Sequence, residues 1–155
     1  MKIDIPGKGE LVIDHLLLDY NGTLAIDGKI PDRVKEKING LADLVAVHVI
    51  TADTFGGVEK ALADVKCTVT VIPKENQAQA KLDYLKKLGP ATTLCAGNGA
   101  NDRLMLKEAA LGIAVLLEEG LAVPALEVAD ILVTQILDVF SYLEKPDRLR
   151  ACLRT

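Results

Sequence analysis

The chain is poor in aromatic residues: it has no Trp, two Phe and three Tyr among 155 residues. Half of it is nonetheless hydrophobic. Its core is therefore expected to be aliphatic, built from Val, Ile, Leu and Ala. Cysteine is scarce as well. Cys67, Cys95 and Cys152 are scattered without metal-binding spacing, which points to reduced thiols in a cytoplasmic protein. There are only two histidines. His48 lies in an apolar, strand-like run and reads as a hydrogen-bonded core residue. His15 opens the strand before it, so no zinc site is expected. No long basic patch exists and the net charge is −4, which argues against a nucleic-acid partner. No apolar run approaches the ~20 residues of a membrane helix. The segment MKIDIPGKGE has no signal-peptide core, so a soluble, cytoplasmic protein is expected.

What is present is an alternation of apolar runs and helical patterns. MKIDIPGKGELVIDHLLLDY reads as a short hairpin whose Gly-rich turn leads into a long strand ending at Asp19. Strands are expected at 45–51, 67–72, 91–97, 111–116 and 130–134. Helices are expected at 31–44, 55–65, 75–89, 101–110, 121–129 and 136–154, the last interrupted at Pro146. Gly89 would close the third of these. Continuously apolar strands, each followed by a helix, predict an α/β fold: a three-layer, Rossmann-like, doubly wound and mainly parallel sheet. With no linker, repeat or low-complexity tract, residues 1–155 are expected to form one domain.

Ligands of such sheets bind beyond the carboxyl ends of the strands. Three polar clusters fall there. LLLDYNGTLA puts Asp19 at the end of an apolar run with a Gly-Thr turn after it. Thr51 ends the next strand. CAGNGANDRLML repeats the grammar of strand, Gly turn, acid and helix. Together they suggest phosphoryl chemistry on an aspartate.

Three motifs, in order across nearly the whole chain, carry a resemblance. DYNGTL (Asp19 to Leu24) is similar to Asp-Lys-Thr-Gly-Thr, TADT (Thr51 to Thr54) to Thr-Gly-Asp-Asn, and GNGAND (Gly97 to Asp102) to Gly-Asp-Gly-x-Asn-Asp. The chain thus resembles the haloacid dehalogenase superfamily of aspartate-nucleophile phosphohydrolases, and within it the phosphorylation domain of P-type ATPases. The resemblance implies Asp19 as nucleophile, forming an aspartyl-phosphate. It implies phosphate contacts from the Gly22 and Thr23 backbone N–H groups, from Thr51 and Ala52, and from a lysine. Lys81 fits, because Tyr84, Leu85 and Leu88 occupy the apolar positions that follow this lysine in the ATPases; Lys74 is the alternative. The implied cofactor is Mg²⁺, held by Asp19, the Asn21 carbonyl, Asn98 and Asp102, although Asp102 could orient the lysine instead. Other roles stay open: Thr51 as a plain β-branched strand end, Asp53 as a helix N-cap, and Asp102 as a first-turn acid.

Two departures bear on activity. Phosphatases of the superfamily carry a second Asp two residues after the nucleophile, as general acid and base. Here that position is Asn21, which transfers no proton. The loss is worth ~10²–10⁴-fold. Asn98 stands where a direct metal carboxylate is usual, so Mg²⁺ should bind more weakly. The expected function is a slow Mg²⁺-dependent phosphohydrolase. The alternative is a regulatory or binding module that binds phosphate or retains the aspartyl-phosphate. Leu24 and Thr51 are too close in sequence for a cap domain or a nucleotide-binding domain between them. An open site would admit a phosphorylated small molecule or a phosphoprotein, and a homo-oligomer could cover it. The segment AIDGKIP, near 24–31, is expected to form a small flap hairpin above Asp19. Glu118 and Glu119 read as a solvated loop.

Overall fold

The computed structural model describes residues 1–53 and 57–155. Strands β1 (Lys2–Ile5) and β2 (Gly9–Val12) form an antiparallel hairpin that stands apart as its own two-stranded sheet. The main sheet holds β3 (His15–Asp19), β4 (Ala46–Thr51), β5 (Thr68–Val71), β6 (Thr93–Gly97), β7 (Leu111–Val115) and β8 (Ile131–Val133). Its spatial order is β5-β4-β3-β6-β7-β8, with every neighbouring pair parallel. The chain builds outward from β3 to one side and then to the other. This is the doubly wound α/β arrangement expected, with its switch point at β3.

Both faces of the sheet are covered, which is why its strands read as unbroken apolar runs. Leu16 and Leu18 point to the layer formed by α1 (Asp32–Leu41), α6 (Ile136–Glu144) and α7 (Asp147–Leu153). Leu17, Ile50 and Cys95 point to the other layer, where they meet Leu82 and Leu85 of α3 (Gln77–Leu88) and Met105 and Leu106 of α4 (Arg103–Glu108). Helix α1 buries Val34, Ile38 and Leu41, a spacing that keeps them on one face. The core is aliphatic, with Phe140 and Tyr20 its large aromatic members.

Several elements are shorter than expected. Pro90–Thr92 makes one 3₁₀ turn, so β6 begins at Thr93 and not at Ala91. The helix expected over 55–65 is α2 (Gly57–Ala61); Phe55 and Gly56 lie outside the described residues. After Ala61 the chain tightens, with Ala63 N–H donating to the Lys60 carbonyl and Val65 N–H to that of Leu62. That tightening turns Leu62 and Val65 into the core. The helix expected from Asn101 starts at Arg103, behind a 3₁₀ turn at Ala100–Asp102. Between β3 and β4 lie only a tight turn and α1, so no cap domain is inserted there. The short helix α5 (Val123–Leu126) follows β7.

Candidate active site

The register of the sheet brings the three motifs together. Asp19 pairs with Ile50, one residue before Thr51, and Leu18 pairs with Ala96, one residue before Gly97. Asp19, Thr51 and the Asn98–Asp102 turn therefore end three adjacent strands. By the two-residue period of β3, Asp19 faces the same side as Leu17, toward α3.

From α3 comes Lys81. It lies one turn before Leu85 on the buried face of the helix and is 1% exposed. Its Nζ donates to Asp19 Oδ1 at 2.6 Å and to Asp102 Oδ1 at 2.6 Å. Lys74 is exposed at the head of the helix, and its carbonyl accepts from the Gln77 amide. Of the two candidate lysines, the fold brings Lys81 to Asp19. Burial alone would lower the Lys81 pKa, but the charges of Asp19 and Asp102 outweigh it and hold the ammonium above its usual range. Burial, and then the charge of Asp102, push the Asp19 carboxyl up to about 7 against the pull of Lys81 and Thr23.

Asp102 is fully buried. Its Oδ2 accepts the backbone N–H groups of Asn98 (3.0 Å) and Gly99 (2.8 Å), which leaves Oδ1 for Lys81. It can fold back this far because Gly97 has no side chain: a Cβ there would lie 2.5 Å from Asp102 Cγ. Asp102 thus caps its own turn through Oδ2 and bonds the lysine through Oδ1.

Gly22 has φ +74°, and a Cβ on it would lie 2.2 Å from Asn98 Nδ2. The glycine lets the GNGAND turn close over the DYNGTL turn. Its N–H, however, donates to Ala25 O at 2.8 Å, and that of Thr23 donates to Tyr20 O at 3.3 Å. In this structure the turn uses both N–H groups to close itself. Thr23 instead presents its hydroxyl, 3.3 Å from Asp19 Oδ2 and 3.2 Å from Asn98 Oδ1.

That hydroxyl has one proton and two acceptors, so one of the two oxygens goes without it. The orientation of the Asn98 amide is fixed by Nδ2 donating to Gly120 O at 3.0 Å. Among the described residues, no hydrogen bond reaches the Asn21 carbonyl. Surplus oxygen lone pairs beside a carboxylate suit a hard divalent cation. The donor set is thin, however: among the described residues no three His, Cys, Asp or Glu side chains gather to hold a metal. The residues present therefore fit such an ion through one carboxylate and neutral oxygens.

Thr51 carries a second signal. It is 1% exposed, and its Oγ1 is the buried side-chain polar atom left without a partner among the described residues. A buried hydroxyl without a partner costs about 1–3 kcal/mol. A phosphate oxygen would satisfy it. Ala52 follows it out of the strand, and Thr54 of the same motif lies outside the described residues. Asp53 Oδ2 accepts the Val58 N–H at 3.0 Å, at the head of α2, which supports its helix-capping role.

Other residues were not legible as parts of the site. The Asp27–Gly28 turn closes with Ile26 and Lys29 bonded reciprocally at 3.1 and 2.9 Å. Glu119, expected in a solvated loop, anchors that turn by accepting the Asp27 N–H at 2.8 Å. No local pattern signals a contact between residues so far apart in the chain. His48 is hydrogen-bonded, as expected, to His15 at 3.2 Å and to the Tyr84 hydroxyl at 3.0 Å.

This sheet, with an acid at the end of β3, a hydroxyl at the end of β4 and a lysine–acid pair from α3 and the turn after β6, defines the class. The chain is similar in fold and in this arrangement to the haloacid dehalogenase-like superfamily, in a form with no cap inserted between β3 and β4. Sequence comparison agrees. Over 138 residues it is 28% identical to a soluble P-type ATPase-like phosphatase of Methanocaldococcus jannaschii, covering 87% of this chain and 50% of that protein. The chain thus spans about half the length of that phosphatase. It is also 42% identical over 74 residues to an uncharacterized protein of the same organism, covering 47% of this chain and 80% of that protein. No protein-family model matches. In fold it is similar to the 3-deoxy-D-manno-octulosonate 8-phosphate phosphatase of Moraxella catarrhalis, with a TM-score of 0.72, 17% identity and coverage of 90% of each chain. That structure holds a magnesium ion, a phosphate ion and a KDO molecule. Among the described residues no helix is long and apolar enough to cross a membrane.

Proposed function

We propose that this protein is a Mg²⁺-dependent phosphohydrolase with Asp19 as nucleophile and a weakened apparatus for proton transfer. The observation that supports this most is the orphaned Thr51 hydroxyl at the same sheet rim as the Lys81–Asp19 pair, a donor set that suits a bound anion.

An Asp19 carboxylate oxygen attacks phosphorus, and the bond from phosphorus to the leaving oxygen breaks with its electron pair going to that oxygen. Water then attacks the phosphorus of the aspartyl-phosphate, releasing inorganic phosphate and restoring the carboxylate. Lys81 and Thr51 hold the equatorial oxygens, and Asp102 keeps Lys81 in place. Asp19, the Asn21 carbonyl and Asn98 would hold the Mg²⁺, which supplies positive charge against the phosphoryl oxygens. Asn21 gives no proton to the leaving oxygen and takes none from the water. Groups that leave readily as anions, such as aryl and acyl phosphates, are therefore the ones turned over. Both a phosphorylated small molecule and a phosphoprotein side chain can reach a site without a cap. A homo-oligomer would narrow that access.

The same Asn21 favours a second reading. With no base to activate water, the aspartyl-phosphate outlives its formation and the domain acts as a phosphoryl-retaining module. The test is hydrolysis of p-nitrophenyl phosphate with Mg²⁺, with chelator, and by Asp19→Asn. Slow turnover that is lost in both controls, with almost no turnover of a sugar monophosphate, supports the enzyme. Rapid sugar-phosphate hydrolysis would rule out the role given to Asn21.

A further inference from the structure

The chain's two histidines suggest no zinc site when read in sequence, yet the register of β3 and β4 brings them together. His15 opens β3, and His48 lies in β4 opposite Leu17. The two side chains therefore stand diagonally on the sheet face that carries α3. His15 Nδ1 is 3.2 Å from His48 Nε2. The rings are tilted by 52° with centres 5.3 Å apart, so they meet at these nitrogens and do not stack. Two imidazoles on a tetrahedral zinc, with bonds of about 2.0–2.1 Å, have nitrogens roughly 3.3–3.4 Å apart and ring centres roughly 5.1–5.3 Å apart. The same spacing suits the hydrogen bond the pair makes without a metal. An ion can thus take the place of the shared proton with little movement of either ring.

The surroundings prepare the pair for a ligand. The Tyr84 hydroxyl lies 3.0 Å from His48 Nδ1. It holds the ring from behind, as partners of metal-bound histidines do, and assigns Nε2 to the space shared with His15. Burial, and then the charge of His15, lower the His48 pKa, so this imidazole is neutral at pH 7 and able to ligate. Thr93, beside His15 in β6, spends its hydroxyl on Gly89 O at 2.8 Å. Thr68, beside His48 in the edge strand β5, is exposed, which opens the pair to water from that side. Among the described residues no third His, Cys, Asp or Glu joins them, so water fills the remaining positions.

We propose that His15 and His48 form a two-imidazole site for a divalent transition-metal ion of the zinc, copper, nickel and cobalt group, and not for magnesium. Imidazole suits these ions, whereas Mg²⁺ takes oxygen ligands. On binding, the proton between the two nitrogens moves to the other nitrogen of its own ring or to water. The site is separate from the rim that holds Asp19, because His15 and Asp19 lie at opposite ends of β3. It stands or falls independently of the phosphohydrolase reading. An ion bridging β3 and β4 also stabilises the folded chain by mass action.

With only two histidines in the chain, long-range proton–nitrogen NMR spectra of the isotope-labelled protein resolve both rings. Zinc at neutral pH should shift His15 Nδ1 and His48 Nε2 together, while excess Mg²⁺ leaves both unmoved. His15→Gln and His48→Gln should each weaken zinc binding by about tenfold or more, because a lone imidazole has no chelating partner. The paired shifts should persist in Asp19→Asn, and zinc should raise the melting temperature of the parent but of neither histidine variant. Shifts of one ring alone, undiminished binding in either histidine variant, or loss of the shifts in Asp19→Asn overturn the proposal. So does the absence of any shift at zinc concentrations that saturate free imidazole. The two named nitrogens are read in the unaltered protein, so the result stands even where a variant does not fold.

Discussion

The Lys81 ammonium lies 2.6 Å from Asp19 Oδ1, a contact between residues 62 apart in sequence and almost sealed from solvent. The same nitrogen bonds Asp102 Oδ1 at 2.6 Å. One buried cation thus holds two carboxylates at the mouth of the sheet. The arrangement is costly to break, because removing the cation leaves two acids in a low-dielectric setting with no counter-charge.

Lys81→Met should therefore destabilise the fold by about 3–5 kcal/mol, or roughly 10 °C or more in melting temperature for a chain of this size. Thermal unfolding followed by circular dichroism measures this. A shift within about 1 kcal/mol would mean that the pair is not energetically coupled to folding. The variant should also lose turnover.

Thr51→Val separates a binding role from a packing role. Val has nearly the shape of Thr and removes the hydroxyl that has no partner among the described residues. Stability should hold or rise, by up to about 1–3 kcal/mol. Phosphate affinity and kcat/KM should nonetheless fall about tenfold. If stability drops while turnover persists, Thr51 is structural.

Asn21→Asp restores a group that can donate and accept a proton beside the leaving oxygen. Hydrolysis of p-nitrophenyl phosphate should rise, by up to about 10²-fold, and esters with poorer leaving groups should gain more. If the purified variant is no faster than its parent, the missing proton transfer is not what limits the reaction.

His48 gives a pH dependence away from the site. Burial, and then the charge of His15, lower its pKa from the usual 6.5. The unfolded chain then takes up a proton on His48 at a higher pH than the folded one does. Stability should be full above about pH 6.5 and decline as pH falls from there toward the folded value. Urea midpoints measured across this range should slope less in His48→Gln. An identical slope would show that His48 is not the group responsible.

The site is largely legible in the sequence because β3 is buried on both faces. An unbroken run, Leu16–Leu18, followed by an acid and Gly-Thr, marks a strand end at the rim of a parallel sheet with little ambiguity. Lys81 is legible through the resemblance, in which apolar residues follow the lysine as Tyr84, Leu85 and Leu88 do here; Leu85 shares its buried face of α3. What stays hidden depends on contacts beyond the local pattern. The Gly22 N–H is consumed by Ala25, and nothing in the sequence distinguishes that from a free donor. Glu119 meets the Asp27 turn only because the β7–α5 loop and the turn after β3 arrive at the same rim. At the start of β6, the β-branched pair Thr92 and Thr93 favours a strand from the first residue of the run. Pro90 overrides that preference at Ala91 and Thr92, because its fixed φ suits the opening of a helical turn.

The mechanism stands on Asp19 accepting a phosphoryl group. Incubation with Mg²⁺ and acetyl phosphate, followed by intact-protein mass spectrometry, tests this step. A single phosphate adduct that is absent in Asp19→Asn is expected, short-lived if the protein turns over and persistent if it retains the group. No adduct with this donor, or an adduct that survives in Asp19→Asn, would contradict it.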